Sequence, residues 1–194
     1  MEEYWNEFEK KYLYVTSHIV KHRYLLNFLC DTMKMKKFNG FDKNGYLPYG
    51  MYNMTFDEFK QHFCKNSSKR EDIFKEYEKH LREIINTGYF LDHWIDGSFI
   101  SKKENPNDID SLTEFDGKKV DENNDYQKVD NIITNSKSKT KGLCHSWRIY
   151  RYPASDEKKY EAYLTAKLRI LTELFSSDKN EIPKGIVHLI EVEL

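Results

Sequence analysis

Apolar residues recur along this chain with two different periods, and the points where the period changes outline its elements. Over residues 3–36 they fall at helical spacing, with Tyr12, Val15, Ile19, Tyr24, Leu25, Phe28 and Leu29 on the repeat. A break near Thr16-Ser17 divides this stretch into two helical segments. Phe38 to Pro48 carries the Gly, Asn and Asp residues of an irregular connection. The pattern therefore predicts an N-terminal helical extension over 1–37 and a main domain over 38–194. Two helices should open that domain. Thr55 and Glu58 form a T-x-x-E capping box around the start of a short helix carrying Phe56, Phe59 and Phe63. Ser68 and Glu71 repeat the device. The longer helix they open puts Ile73, Tyr77, Leu81, Ile84 and Ile85 on one face, and Gly88 is placed to end it.

Beyond Gly88 the pattern is that of strands. Residues 89–96 read as one strand ending at Gly97, and a second runs from Asp108 to Phe115. From Asp116 to Lys141 the chain is dominated by Asn, Asp, Lys and Ser, so a flexible insertion over about 116–142 is expected, with at most a helical turn around Val129–Ile133. Leu143 to Tyr152 suits a strand ended by Pro153. Ser155 or Asp156 can cap a helix reaching about Ser176, and Gly185 to Ile190 reads as a last strand. This order predicts an α+β (mixed α/β) domain, a mixed sheet flanked by helices.

Composition narrows the functional classes. Acidic and basic residues nearly cancel to a formal charge of -1, which argues against nucleic-acid binding through bulk positive charge while leaving room for a local basic patch. Mean hydropathy is low at -0.83, but an aromatic content of 15% supplies core-forming bulk. Cys30, Cys64 and Cys144 are odd in number and far apart, which suits a reduced, cytoplasmic chain better than a disulfide framework or zinc knuckle. No apolar run approaches the ~20 residues of a membrane span. The opening Glu2, Glu3 and Trp5 are unlike a signal peptide.

Candidate chemistry is concentrated around one turn and one strand. Asp108 and Asp110 lie two apart on the second strand, so both side chains point to one face while Ile109 faces the other layer. Adjacent carboxylates are costly unless a cation neutralises them or one holds a proton, and Mg²⁺ (or Mn²⁺) bound by carboxylates and substrate phosphates is the usual solution. Gly97-Ser98 ends the preceding strand, where glycine permits close backbone approach and exposed N–H groups can bind an anion. A lone Asp-x-Asp is common in turns and on solvated strand edges. Its pairing with Gly-Ser at this spacing makes it a candidate metal and phosphate site.

This pattern, Gly-Ser followed about ten residues later by Asp-hydrophobic-Asp, resembles the signature of the polymerase-beta-like nucleotidyltransferase superfamily. Leu47-Pro48-Tyr49-Gly50, then Thr55, Glu58 and Phe59, Arg70, Trp94 to Phe99, Lys103, Pro106 and Asp108 to Asp110 further resemble a family of small bacterial nucleotidyltransferase-like proteins. Leu174-Phe175, Asp178 and Pro183 to Val187 are similar to that family's C-terminus. The likeness covers 38–194 and is patchy across 116–142. It implies a small nucleotidyltransferase fold, and no established reaction comes with it.

Active superfamily members generally carry a third carboxylate on the following strand. Leu143 to Tyr152 contains no Asp or Glu; His145 and Ser146 stand where the acid is expected. Imidazole is a poor Mg²⁺ ligand but can serve as a base. Asp121, Asp125 or Asp130 could substitute from the insertion. Lys102 and Lys103 could meet phosphates or form a solvated pair. Lys137, Lys139 and Lys141 could touch RNA, though a solvated loop is the simpler reading. His18 and His22 have the spacing of a metal pair on a helix, with a structural or surface role favoured. Arg70 could brace the Leu47–Gly50 loop or contact a phosphate, and bracing is favoured. Tyr150-Arg151-Tyr152 reads as strand packing.

These residues lead to two expectations. One is a protein that binds an NTP with Mg²⁺ and transfers a nucleotidyl group to an unknown acceptor, protein, RNA or small molecule. Family analogy gives a toxin–antitoxin or phage-defence setting. The rival is a catalytically degenerate nucleotidyltransferase fold acting as a nucleotide-binding or regulatory module, with the N-terminal helices as homodimer or partner interface.

Overall fold

Five strands, β1 (Met51–Met54), β2 (Phe90–Asp96), β3 (Ile109–Asp116), β4 (Cys144–Arg151) and β5 (Ile186–Leu189), form one mixed sheet in the computed structural model, in the order β1-β5-β2-β3-β4. β2 runs antiparallel to both β3 and β5, whereas β1–β5 and β3–β4 are parallel pairs. The structure describes residues 36–65 and 67–192. The expected N-terminal helices, with His18, His22 and the proposed interface, thus lie outside the described residues, apart from Lys36. The α+β class is the one the pattern predicts. Strand β1 is an addition, too short for its period to register.

Period-two alternation gives the sheet two chemically different faces. On one, α1 (Phe56–Phe63) and α2 (Ser68–Ile85) cover Tyr52, Met54, Ile95, Ile109, Val187 and Leu189 with Phe59, Phe63, Ile73, Tyr77 and Leu81, forming the main apolar core. The capping box of α1 is present: Glu58 N donates to Thr55 Oγ1 at 3.2 Å and Thr55 N to Glu58 Oε2 at 2.9 Å. The second expected box does not form. Ser68 is already helical, and the cap residue Ser67 turns its hydroxyl to Asn105 Oδ1 at 3.3 Å. Two histidines lie within this core, His80 on Ser146 Oγ and His93 on Thr113 Oγ1, each at 2.9 Å. Burial lowers them to about 4 and about 3, so both stay neutral near pH 7.

The insertion expected to be a flexible loop is helical instead. It forms α3 (Gly117–Asn123), α4 (Tyr126–Thr134) and α5 (Ser136–Lys139). Val120, Val129 and Ile133 bury against Ile84, Tyr89 and Phe115, a set of anchors too sparse for sequence periodicity to reveal. On the second face lies α6 (Glu157–Arg169), which Asp156 caps and a π-helical turn, Ile170–Leu174, extends. Its Lys167 lies 4.3 Å from the Trp94 ring centroid and 3.3 Å from Glu114, a fully buried carboxylate that Arg151 also binds.

Arg70 joins α1, α2 and the connection between β2 and β3. It is 5% exposed, and its guanidinium donates to four carbonyls: Nη1 to Phe63 O (2.8 Å) and Phe99 O (2.7 Å), Nη2 to Ser101 O (2.8 Å) and Lys103 O (2.5 Å). The favoured bracing role is seen, but the segment braced is 99–103 and not Leu47–Gly50. Arg70→Met strands four acceptors that have no comparable donor in reach, so urea denaturation should show a loss of about 3 kcal/mol or more. Arg70→Lys should recover little of it, because an ammonium lacks the planar fork. A loss below about 1 kcal/mol for Arg70→Met would contradict the assignment.

Candidate functional site

The register of three strands assembles the site. Asp96 on β2 lies opposite Asp110 on β3, and Asp110 lies opposite His145 on β4. A single row of side chains therefore crosses the sheet on the face away from the main core. Like charges directly opposite one another destabilise a sheet. Here a lysine supplies the compensation. Lys184 Nζ sits 2.7 Å and 2.5 Å from the two oxygens of Asp96, and the two residues are 8% and 4% exposed. Even against the pull of that ammonium, burial pushes the Asp96 carboxyl up to about 7.

Backbone contacts on both sides set the position of Lys184. Its N–H donates to Ser176 O at 2.8 Å, and Gly185 N donates to Leu47 O at 2.8 Å. A Cβ on Gly185 would come within 2.7 Å of Pro48 O, so only glycine permits this approach. The Leu47–Gly50 and Pro183–Val187 segments, remote in sequence, thus meet and place one ammonium group.

Gly97 sits beside Asp110. Its φ of 85° favours glycine, and a Cβ there would fall 2.2 Å from Asp110 Oδ2. Ser98 opens a short 3₁₀ turn, Ser98–Ile100, and its carbonyl accepts from Ser101 Oγ at 2.7 Å. Asp108 lies just ahead of β3 and is half-buried. Burial, then the charge of Asp108, raise the Asp110 carboxyl above its ordinary range, with His145 and Lys184 opposing them. His145 Nδ1 is 3.4 Å from Asp110 Oδ1, and its ring packs 3.9 Å from Trp147.

The structure therefore brings Gly97, Asp110 and His145 together, with Asp108 close enough for its charge to act on Asp110. Lys102 and Lys103 belong elsewhere. Lys102 donates its N–H to Gly45 O at 2.8 Å and lines a separate hollow, while the Lys103 carbonyl is bound by Arg70. Ser146 faces the opposite side, on His80 and Ser111. The insertion acids are engaged elsewhere: Asp121 with Lys159, Asp125 with Tyr89 and Asp130 with Arg148. Sequence reasoning missed Asp96. It directly precedes Gly97-Ser98, but its cation comes from 88 residues further on, and no local pattern signals that pairing.

Among the described residues, no group of three or more His, Cys, Asp and Glu side chains is arranged to hold a metal ion. Asp108 and Asp110 match the donor set of Mg²⁺ only where substrate phosphates complete it, the mode in which that ion is commonly bound. Among the described residues no helix is long and apolar enough to cross a membrane.

These elements define a mixed α+β domain with a compensated acidic row at the end of its central antiparallel pair. The profile of a family of unknown function, DUF6932, matches residues 39–190, and the chain belongs to that family. No curated protein and no solved structure matches it.

Lys184→Met tests the compensation. It leaves Asp96 buried without a cation, so the folded carboxyl holds its proton to still higher pH than the unfolded one, whose pKa is about 4. A raised folded pKa gives stability that is present below the unfolded pKa and lost as pH rises through the folded one. The parent, with Asp96 pushed up to about 7, already loses stability from pH 4 to 7. The variant keeps losing it above 7 and should fall about 1 kcal/mol further behind between pH 7 and 8 in denaturant titrations. Adding Asp96→Asn should abolish that pH dependence. An unchanged pH profile in Lys184→Met would contradict the pairing.

Proposed function

We propose that this chain is a nucleotidyltransferase-like protein that binds a nucleoside triphosphate with Mg²⁺ and transfers its nucleotidyl group to an acceptor. One observation carries the reading: the Gly97 backbone lies so close to Asp110 that a side chain would collide with the carboxylate. A turn suited to phosphate and a carboxylate suited to metal are thereby adjacent. Asp108 and Asp110 would hold the ion together with phosphate oxygens, and the backbone at Gly97 and Ser98 would hold the phosphate tail. When bound, Mg²⁺ would neutralise phosphate charge and orient the reacting group for in-line attack. His145, whose Nδ1 lies toward Asp110, is placed to accept a proton from the acceptor hydroxyl. A protein, RNA or small-molecule acceptor fits this chemistry, and the toxin–antitoxin or phage-defence setting rests on family analogy.

A second reading has its own observation. Among the described residues, the carboxylate across the ladder from Asp110 is Asp96, and Lys184 already binds it. That favours a degenerate site that binds a nucleotide and serves as a regulatory or interaction module.

Thermal-shift titration with each NTP, with and without Mg²⁺ or Mn²⁺, should stabilise the protein only when nucleotide and metal are both present, by about 2.7 kcal/mol at a hundredfold excess over Kd. Labelled-NTP transfer then separates the two readings. The enzyme reading predicts transfer that falls at least a hundredfold in Asp108→Ala and Asp110→Ala. Binding without transfer selects the module. Transfer that survives both substitutions would remove these aspartates from the metal site, and no shift with any nucleotide would overturn both readings.

A further inference from the structure

The hollow beside the start of α2 is built from groups that the proposed transfer site does not use. Its volume is about 280 Å³, close to the lower bound of small-molecule sites. Phe41 and His62 give it an aromatic surface, with the core residue Phe63 behind them. The Phe41 and Phe63 rings lie 6.2 Å apart, and His62 packs 4.5 Å from Phe38. Lys65 and Lys102 give it two exposed ammonium groups, neither in a salt bridge among the described residues. Arg70 adds a third positive charge, although its donors are taken by carbonyls, so it acts through its field and not by contact. Among the described residues, Glu104 is the one carboxylate lining it. In a chain of net charge -1, this is a local excess of positive charge.

The walls are also braced before any ligand arrives. Arg70 bonds both Phe63 and Ser101, which line the hollow from separate segments. Lys102 N is bonded to Gly45 O at 2.8 Å, and a bridge between Tyr46 and Ser101 fixes the same segment. Binding there requires little ordering of the walls, which preserves affinity.

We infer that this hollow binds a phosphate monoester carrying a planar ring, the class to which mononucleotides belong. The phosphate would meet the ammonium groups of Lys65 and Lys102, and the ring would pack on Phe41 and His62, with the buried Phe63 beneath them. The volume suits one such unit. A free mononucleotide and the 5′-phosphorylated end of an oligonucleotide present the same chemistry. The site needs no metal and neither Asp108 nor Asp110, so it stands independently of the transfer reading.

The test is an NMR titration of the full chain with AMP and UMP, in EDTA. Expected are amide shifts centred on Phe41, residues 62–65 and residues 101–104, with a Kd of roughly 0.1–1 mM. Adenosine and inorganic phosphate should each bind at least tenfold more weakly. Lys65→Gln with Lys102→Gln should weaken AMP at least tenfold, and Asp110→Asn should leave it unchanged. A 5′-phosphorylated dinucleotide that binds as tightly as AMP assigns the source to a strand end; weaker binding assigns it to the free nucleotide, and either result supports the site. The proposal is overturned if AMP shifts no amide of the hollow at several times that Kd. It is also overturned if the shifts centre on Gly97, Asp110 and His145, if phosphate alone binds as well as AMP, or if the double Gln variant binds normally. NTP and Mg²⁺ binding at the aspartates can survive any of these failures, and the hollow can survive theirs.

Discussion

Two carboxylates facing each other across an antiparallel ladder impose a constraint that organises much of this molecule. Asp96 and Asp110 are such a pair, and their burial removes the water that would otherwise screen them. The protein meets the constraint asymmetrically. Asp96 is bound by Lys184 and nearly sealed from solvent, while Asp110 stays partly open, flanked by Asp108, His145 and the bare backbone of Gly97. One acid is thereby made structural, and the other keeps unspent charge toward the outside. Under the proposed function, that second acid and Asp108 would be the ones to take a cation.

The remainder of the fold can be read as support for this arrangement. Gly185 packs against Pro48 to set Lys184, and the meeting of β1 with β5 brings those segments into register. Arg70 fixes the segment that follows the Gly97-Ser98 turn, so the turn is held between a strand and a four-fold bonded guanidinium. The core beneath is apolar and aromatic, which gives the strands a rigid base. On the other face, Glu114 with Arg151 and Lys167 ties α6 to the sheet. The helix over that face contributes a cation, Lys167, as well as apolar cover.

Local signals in the sequence were legible where the physics is local. The capping box at Thr55 and Glu58, the amphipathic face of α2 and the strands around 90–96, 109–116 and 144–151 each follow from spacing within one segment. His145 was legible as a candidate because it stands where an acid is expected, and the register places it opposite Asp110. What remained hidden depends on distant partners. Asp96 shows its role only once Lys184 is seen beside it. Arg70 could be assigned to bracing, but three of the four carbonyls it binds belong to a segment about thirty residues on. The insertion carries too few apolar residues to announce its helices, which form because Val120, Val129 and Ile133 find a waiting surface at Ile84 and Phe115. Lys102 and Lys103 follow the Gly-Ser turn in sequence, but the 3₁₀ turn carries the chain away from the aspartates and toward the hollow.

In the proposed function, Asp108 and Asp110 would share one divalent ion with the phosphates of a nucleotide lying on the Gly97-Ser98 turn. The most direct measurement is a crystal structure of the full chain grown with Mn²⁺ and a non-hydrolysable NTP analogue, using the anomalous signal to locate the metal. Expected is a Mn²⁺ peak within bonding distance of Asp108 and Asp110, with phosphate oxygens completing its coordination and Lys184 still on Asp96. Nucleotide and metal bound away from this row, or a row that stays empty at saturating concentrations of both, would contradict it.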